Sequence, residues 1–183
     1  MNDLIFRSLD EHKRSLEAFE YSSEELTRAY LERIDEKEPS INAYVSVCHD
    51  RAIAAAKASD ERRRKGEALS ALDGIPYAAK DNIAVAGLPL RCGSHILDGY
   101  ISPFDATVIS RLGESGCVLL GKTNLDEFAM GTDTETSANG RTKNPLDENR
   151  VTEVPQPWRL IFAASRSART RAALCDSLPH SAA

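Results

Sequence analysis

The sequence predicts an α/β fold, and three observations carry that expectation. Residues 22–38 read as an amphipathic helix with a capping signature, and "INAYVSV" (residues 41–47) alternates like a short strand. Residues 105–120 then read as helix, glycine turn and buried strand in direct succession, a unit that argues for helices layered on a sheet.

In chain order, residues 4–20 carry Leu4, Leu16 and Phe19 at roughly helical spacing, so a helix with those side chains inward is expected. "SSEELTRAYLERIDEKEP" opens with Ser22 and Glu25 at capping-box spacing and sets Leu26, Tyr30 and Ile34 on one face. Its helix is expected to stop before Pro39, because proline restricts the residue that precedes it. Asp50 is expected to cap an alanine-rich helix through "RAIAAAKASDERRRK" that ends at Gly66, with Asp60 to Lys65 as a solvated face. From Leu72 the texture changes to short apolar pieces punctuated by glycine. In the second of these, Asp105 is expected to cap a helix with Val108, Ile109 and Leu112 inward; Gly116 closes it in a left-handed turn, and "CVLL" follows as a buried strand.

Composition narrows the function classes. The chain has 183 residues, enough for one domain with a real core. A formal net charge of −5 gives no basic patch for direct nucleic-acid binding, so any RNA contact needs a partner. Cys48, Cys92, Cys117 and Cys175 are scattered, without zinc-ligand spacing, and are expected as unpaired thiols of a reducing compartment. The first residues lack the apolar core of a signal peptide, and no run is long and apolar enough for a membrane span, so a cytoplasmic location without membrane contact is expected.

Several motifs have plain structural readings. "GCVLLGKT" (residues 116–123) satisfies the spacing of a phosphate-binding loop, but its Cys-Val-Leu-Leu core reads as the strand itself, leaving no flexible loop to aim N–H groups at phosphate. Lys122 is then expected as a structural turn residue beside a strand end. Asp126 and Glu127 in "NLDEFAMG" are adjacent carboxylates, read as helix-start charge, with Phe128 and Met130 partly buried. His12, His49, His95 and His180 show no evident partners. Lys80 differs: it ends the apolar run "GIPYAAK", where burial would lower its pKa and allow it to act as a general base. Snorkelling, or an ion pair with Asp81, is the alternative.

At this point the motifs resemble a known family. "LDGIPYAAKDNIAVAGLPLRCGS" and "DATVISRLGESGCVLLGKTNLDEFAMGTDTETSANGRTKNPLDENRV" are similar to the amidase signature family, in particular to the A subunits of tRNA-dependent amidotransferases acting on Glu-tRNA(Gln) or Asp-tRNA(Asn). The likeness runs over roughly residues 20–151. It implies a mixed β-sheet flanked by helices, of which this chain carries the N-terminal portion. It also implies a relay in which a neutral lysine, matching Lys80, takes a proton through a bridging serine from a nucleophilic serine. The nucleophile attacks a carboxamide, yielding an acyl-enzyme and ammonia. In the amidotransferases the carboxamide is that of glutamine, and the ammonia passes to a partner subunit that activates mischarged aminoacyl-tRNA with ATP and magnesium. By the same resemblance Ala129, Met130 and Gly131, with Thr136 and Ser137, line the glutamine pocket. The implied partners are the B and C subunits, and no cofactor or metal is expected in this chain.

The family pattern continues with two Gly/Ser-rich motifs that supply the bridging serine, the nucleophile and the oxyanion amides. Neither occurs here. All ten glycines lie between Gly66 and Gly140, and Val151 is followed by "TEVPQPW". Residues 1–151 are therefore expected to be the N-terminal part of an amidase domain, and residues 152–183 a non-family tail, read from a shifted frame or disordered. Sequencing the encoding gene tests this: another frame must restore the Gly/Ser motifs. Ser165, Ser167, Ser177 and Ser181 have no family neighbours and are not assigned the vacant roles. The expectation is an inactive chain whose open strand edges disfavour folding; an amidase of other small amides and a non-catalytic fragment are the alternatives.

Overall fold

The computed structural model describes residues 3–145. The tail reading, with Cys175, His180 and the four tail serines, lies outside the described residues. Three strands form one mixed sheet in the order β1-β3-β2: β1 (Tyr44–Val47) runs antiparallel to β3 (Val118–Thr123), and β2 (Pro76–Lys80) runs parallel to β3. Parallel neighbours need a crossover. Residues 81–117, including α4 (Thr107–Glu114), supply it. The expected mixed α/β architecture is the one observed.

Helices α2 (Ser23–Ile41) and α3 (His49–Lys65) cover one sheet face, where Leu31, Ala52 and Ala56 pack on Val118 and Leu120. On the other face, Ile109 of α4 and Val85 pack on Tyr77, Ala79 and Leu119. The N-terminal helix α1 (Leu9–Glu17) joins a third cluster of Leu9, Leu16, Leu26 and Ile75. Each fully buried leucine here contributes about 1.5–3 kcal/mol.

Local chemistry sets most of the boundaries. Ser22 and Glu25 form the expected capping box at the start of α2. Gly66 ends α3 at φ +74°, and Gly116 follows α4 at φ +82°. Other boundaries depart from the sequence reading. Residues 4–20 are broken: a 3₁₀ turn covers Asp3–Phe6, and α1 begins after a second capping box, Ser8 with Glu11. Phe19 leaves the helix at φ +54° and is 63 % exposed. Helix α2 runs through Pro39 to Ile41, because proline there costs only one late hydrogen bond while the Asn42 N–H still closes the turn on Glu38 O at 2.9 Å. Asp50 lies inside the first turn of α3, after Cys48 at the cap. Asp105 does not cap α4; its carboxylate accepts from the Ala86 N–H at 2.7 Å, and Val108 faces solvent.

The strand that ends in Lys80 is anchored at its start. Buried Asp73 accepts from Arg62 Nε at 2.9 Å and Nη2 at 2.6 Å, and its backbone carbonyl accepts from Arg63. Burial pushes the Asp73 carboxyl up, but the Arg62 guanidinium holds it below the usual carboxylate value. Gly74 then turns the chain at φ +83°, where a Cβ would meet Ser59 Oγ at 2.5 Å and Ser23 Oγ at 2.7 Å. Only glycine fits that approach.

Candidate active site

The parallel strands β2 and β3 end side by side, with Lys80 opposite Thr123 and Ala79 opposite Lys122. An irregularity between Tyr77 and Ala78 shifts the register so that Lys122 shares the face of Ala79, and Thr123 shares that of Lys80. The two lysines therefore point to opposite faces.

Lys122 is fully buried within β3, which corrects its reading as a turn residue. Its ammonium donates to Asp81 Oδ1 at 2.9 Å and to Pro89 O at 3.3 Å. The second Asp81 oxygen accepts from the Arg91 N–H at 3.1 Å, and the Asp81 N–H donates to Thr123 O at 3.0 Å. Asp81 is thus committed to Lys122, and an ion pair with Lys80 does not form.

Lys80 is 7 % exposed, and among the described residues its amine has no hydrogen-bond or ion-pair partner. Burial holds its pKa below the ordinary lysine value, opposed by the negative charge of Asp126. Thr123 is also buried, and its Oγ1 has no hydrogen-bond partner among the described residues.

Beyond β3, two buried side chains brace the loop that follows. Asn124 Nδ2 donates to Gly140 O at 2.8 Å and to Thr142 Oγ1 at 3.2 Å, while its Oδ1 accepts from Ser137 Oγ at 2.6 Å. Asp126 accepts from the Thr134 N–H at 3.0 Å and from Thr136 Oγ1 at 3.1 Å. A Cβ on Gly131 would collide with the Asp126 carboxylate. Between them, Phe128 and Ala129 take φ of +49° and +61° in a tight turn. Such strain is held only where the surroundings over-determine it, and it gathers at functional sites.

The candidate pocket residues thus sit around one strand end. Ala129, Met130, Gly131 and Thr136 are exposed, whereas the hydroxyl of Ser137 is turned inward to Asn124. Met130 is 82 % and Phe128 47 % exposed, so the expected partial burial of that turn is absent. Asp126 and Glu127 do stand at the start of a short 3₁₀ turn, Glu127–Ala129, but the Asp126 side chain makes no cap bond there and is a buried brace. Glu127 accepts from Ser94 Oγ at 2.6 Å. The histidines also have partners: His12 lies between the Tyr21 and Tyr30 hydroxyls, His49 meets Asp35, and His95 meets Asp98. Cys48, Cys92 and Cys117 are free thiols. Sequence reasoning missed Asn124, Asp126 and Thr123 as members of the site. The available signal was their position directly after a buried strand running beside the one that ends in Lys80.

The profile of the Amidase family matches residues 25–152. The chain belongs to the amidase family. This amidase-family chain is 48% identical over 151 residues to the A subunit of the glutamyl-tRNA(Gln) amidotransferase of Acidothermus cellulolyticus, an alignment covering 82% of this chain and 30% of that protein. Among solved structures it is similar to the A subunit of the glutamyl-tRNA(Gln) amidotransferase from Thermotoga maritima, at 35% identity and TM-score 0.64 over 82% of this chain and 30% of that one. It is also similar to the native peptide amidase of Stenotrophomonas maltophilia, at 36% identity and TM-score 0.70 over 77% and 30%. The chain therefore spans about 30% of the length of the curated relatives it matches.

Proposed function

We propose that this chain is the N-terminal part of a glutamine-hydrolysing A subunit of a tRNA-dependent amidotransferase, and that Lys80 is its proton acceptor. The observation that carries this reading is the buried Lys80 side chain, whose amine pairs with no described residue and whose pKa burial lowers. A neutral amine has a lone pair to accept a hydroxyl proton; an ion-paired one does not. Glutamine would rest against the turn at Ala129, Met130 and Gly131, with Thr136 and Ser137 behind it. Ammonia would pass to the B and C subunits, where ATP and magnesium activate the mischarged tRNA. The 183-residue chain carries neither Gly/Ser motif of the family, so by itself it is proposed to release no ammonia from glutamine.

The test is a chimera. Residues 20–151 replace the matching segment of the Acidothermus cellulolyticus A subunit, assembled with its B and C subunits. The chimera should hydrolyse glutamine, its Lys80→Ala variant should lose that activity, and the 183-residue chain alone should show none. Glutamine turnover by the chain alone that Lys80→Ala abolishes would overturn the inactivity. A chimera indifferent to Lys80 would overturn the base. A second reading, an amidase of small amides, draws on the higher TM-score of 0.70 to the peptide amidase, and failure to bind B and C would favour it.

A further inference from the structure

We infer that Thr123 is a positioning residue for Lys80, its hydroxyl accepting an N–H of the amine so that the amine's lone pair faces the incoming hydroxyl proton. This rests on Lys80 being the base proposed above. Two observations point to it. Lys80 and Thr123 are register partners on parallel strands and so share a face of the sheet. Both residues are buried, the Thr123 hydroxyl is a buried polar atom without a partner among the described residues, and no hydrogen bond or ion pair joins the Lys80 amine to one of them. Buried polar atoms are nearly always satisfied, so an orphaned hydroxyl beside an unpaired lysine calls for a cause.

A β-branched residue suits a strand, but valine would serve that purpose without burying a hydroxyl. The neighbouring carboxylates cannot take the hydroxyl's place. Asp81 lies on the opposite face, engaged by Lys122 and the Arg91 N–H, and Asp126 is engaged by Thr134 and Thr136. Asp126 is the charged group whose field reaches Lys80. The amine and the hydroxyl are not bonded in this structure. The inference requires the flexible lysine stem to turn its amine toward the hydroxyl of its register partner. A threonine hydroxyl offers two lone pairs to an N–H and leaves the amine's own lone pair free. When a relay hydroxyl then gives up its proton, its O–H bond breaks as a fourth bond forms on Nζ, and Thr123 still accepts from the resulting ammonium.

The experiment is an NMR titration of the lysine ε-carbons in the full 183-residue chain, with the Lys80 signal assigned through Lys80→Arg. Wild type, Thr123→Val and Thr123→Ser are compared. Because the hydroxyl also accepts from the charged form, its loss should move the Lys80 midpoint to lower pH in Thr123→Val, and Thr123→Ser should restore it. An unchanged midpoint in Thr123→Val, or a serine variant that behaves like the valine one, would overturn the inference. Should the valine variant not fold, Thr123→Ala is read by the same criteria. A wild-type midpoint at the ordinary lysine value that still drops in Thr123→Val would keep the contact and remove the base reading, so the two failures are distinguishable.

Discussion

Lys80 and Lys122 lie one register position apart on adjacent strands, both buried, on opposite faces of the same sheet. Lys122 meets a carboxylate at 2.9 Å, and Lys80 meets none. The difference teaches that burial alone does not decide what a lysine is for. With a committed counter-charge, the buried ammonium closes a gap between β3 and the turn after β2, and its worth is structural. Without one, desolvation acts unopposed except for the charge of Asp126, and the lysine's pKa is lowered. Asp81 makes the division possible. By following Lys80 directly in sequence it must point away from it, and by pairing with Lys122 it leaves Lys80 unclaimed.

The largest expected effect comes from breaking the committed pair. Lys122→Ala strands the Asp81 carboxylate in the interior and should cost about 3–5 kcal/mol, read as a lower denaturant midpoint. The double replacement Lys122→Met with Asp81→Asn should recover much of that loss, since no uncompensated charge remains. If Lys122→Ala costs no more than Lys80→Ala, pairing is not what separates the two lysines.

A third buried base sharpens the comparison through pH. His12 is 4 % exposed and bonded only to neutral groups, the hydroxyls of Tyr21 at 2.7 Å and Tyr30 at 3.3 Å. Burial, with help from the nearby Arg7 charge, lowers its pKa from 6.5 to about 4. Between those values the unfolded chain binds a proton that the folded chain refuses, so stability is complete above pH 6.5 and declines as pH falls toward 4. The full window corresponds to a loss on the order of 3 kcal/mol. His12→Gln, which keeps a hydrogen-bonding side chain but cannot be protonated, should flatten this part of a stability-against-pH curve. An unchanged slope would mean that burial without a counter-charge does not neutralise a base in this fold.

How much of this was legible in the sequence depends on the range of the interaction involved. The capping box at Ser22 and the positive-φ glycines at 66 and 116 are local devices, and each stands where the spacing put it. The strand reading of "CVLL" was sound because four apolar residues leave no loop to hold phosphate, and the strand then continues through Gly121, Lys122 and Thr123. Asp105 and Asp50 were misplaced because a cap signal says which groups want an N–H, not which N–H is nearest. For Asp105 the answer is Ala86, 19 residues earlier. The Lys122–Asp81 pair spans 41 residues and depends on a register irregularity that no periodicity announces. Lys80 was visible as an odd lysine in an apolar run, but its lack of a partner could be seen only once Asp81 was seen to be taken.

The smallest expected effect is the one that decides most. Lys80→Met exchanges a chargeable side chain for an unbranched apolar one of similar length, and a lysine without a counter-charge forfeits no ion pair. What it removes is the cost of keeping a chargeable group out of water, so the variant should be at least as stable as wild type near neutral pH, by up to about 1 kcal/mol. The gain should shrink with rising pH. The folded-state pKa of Lys80 lies below the unfolded value near 10.5, so between the two the unfolded chain holds the extra proton and wild-type stability climbs as pH rises. Above that window the amine is neutral in both states and the penalty is gone. Chemical denaturation of the Lys80→Met and Lys122→Met chains at neutral and alkaline pH reads both trends in one series. A Lys80→Met chain as destabilised as Lys122→Met would show that Lys80 has a counter-charge after all, and the contrast between the two lysines would collapse.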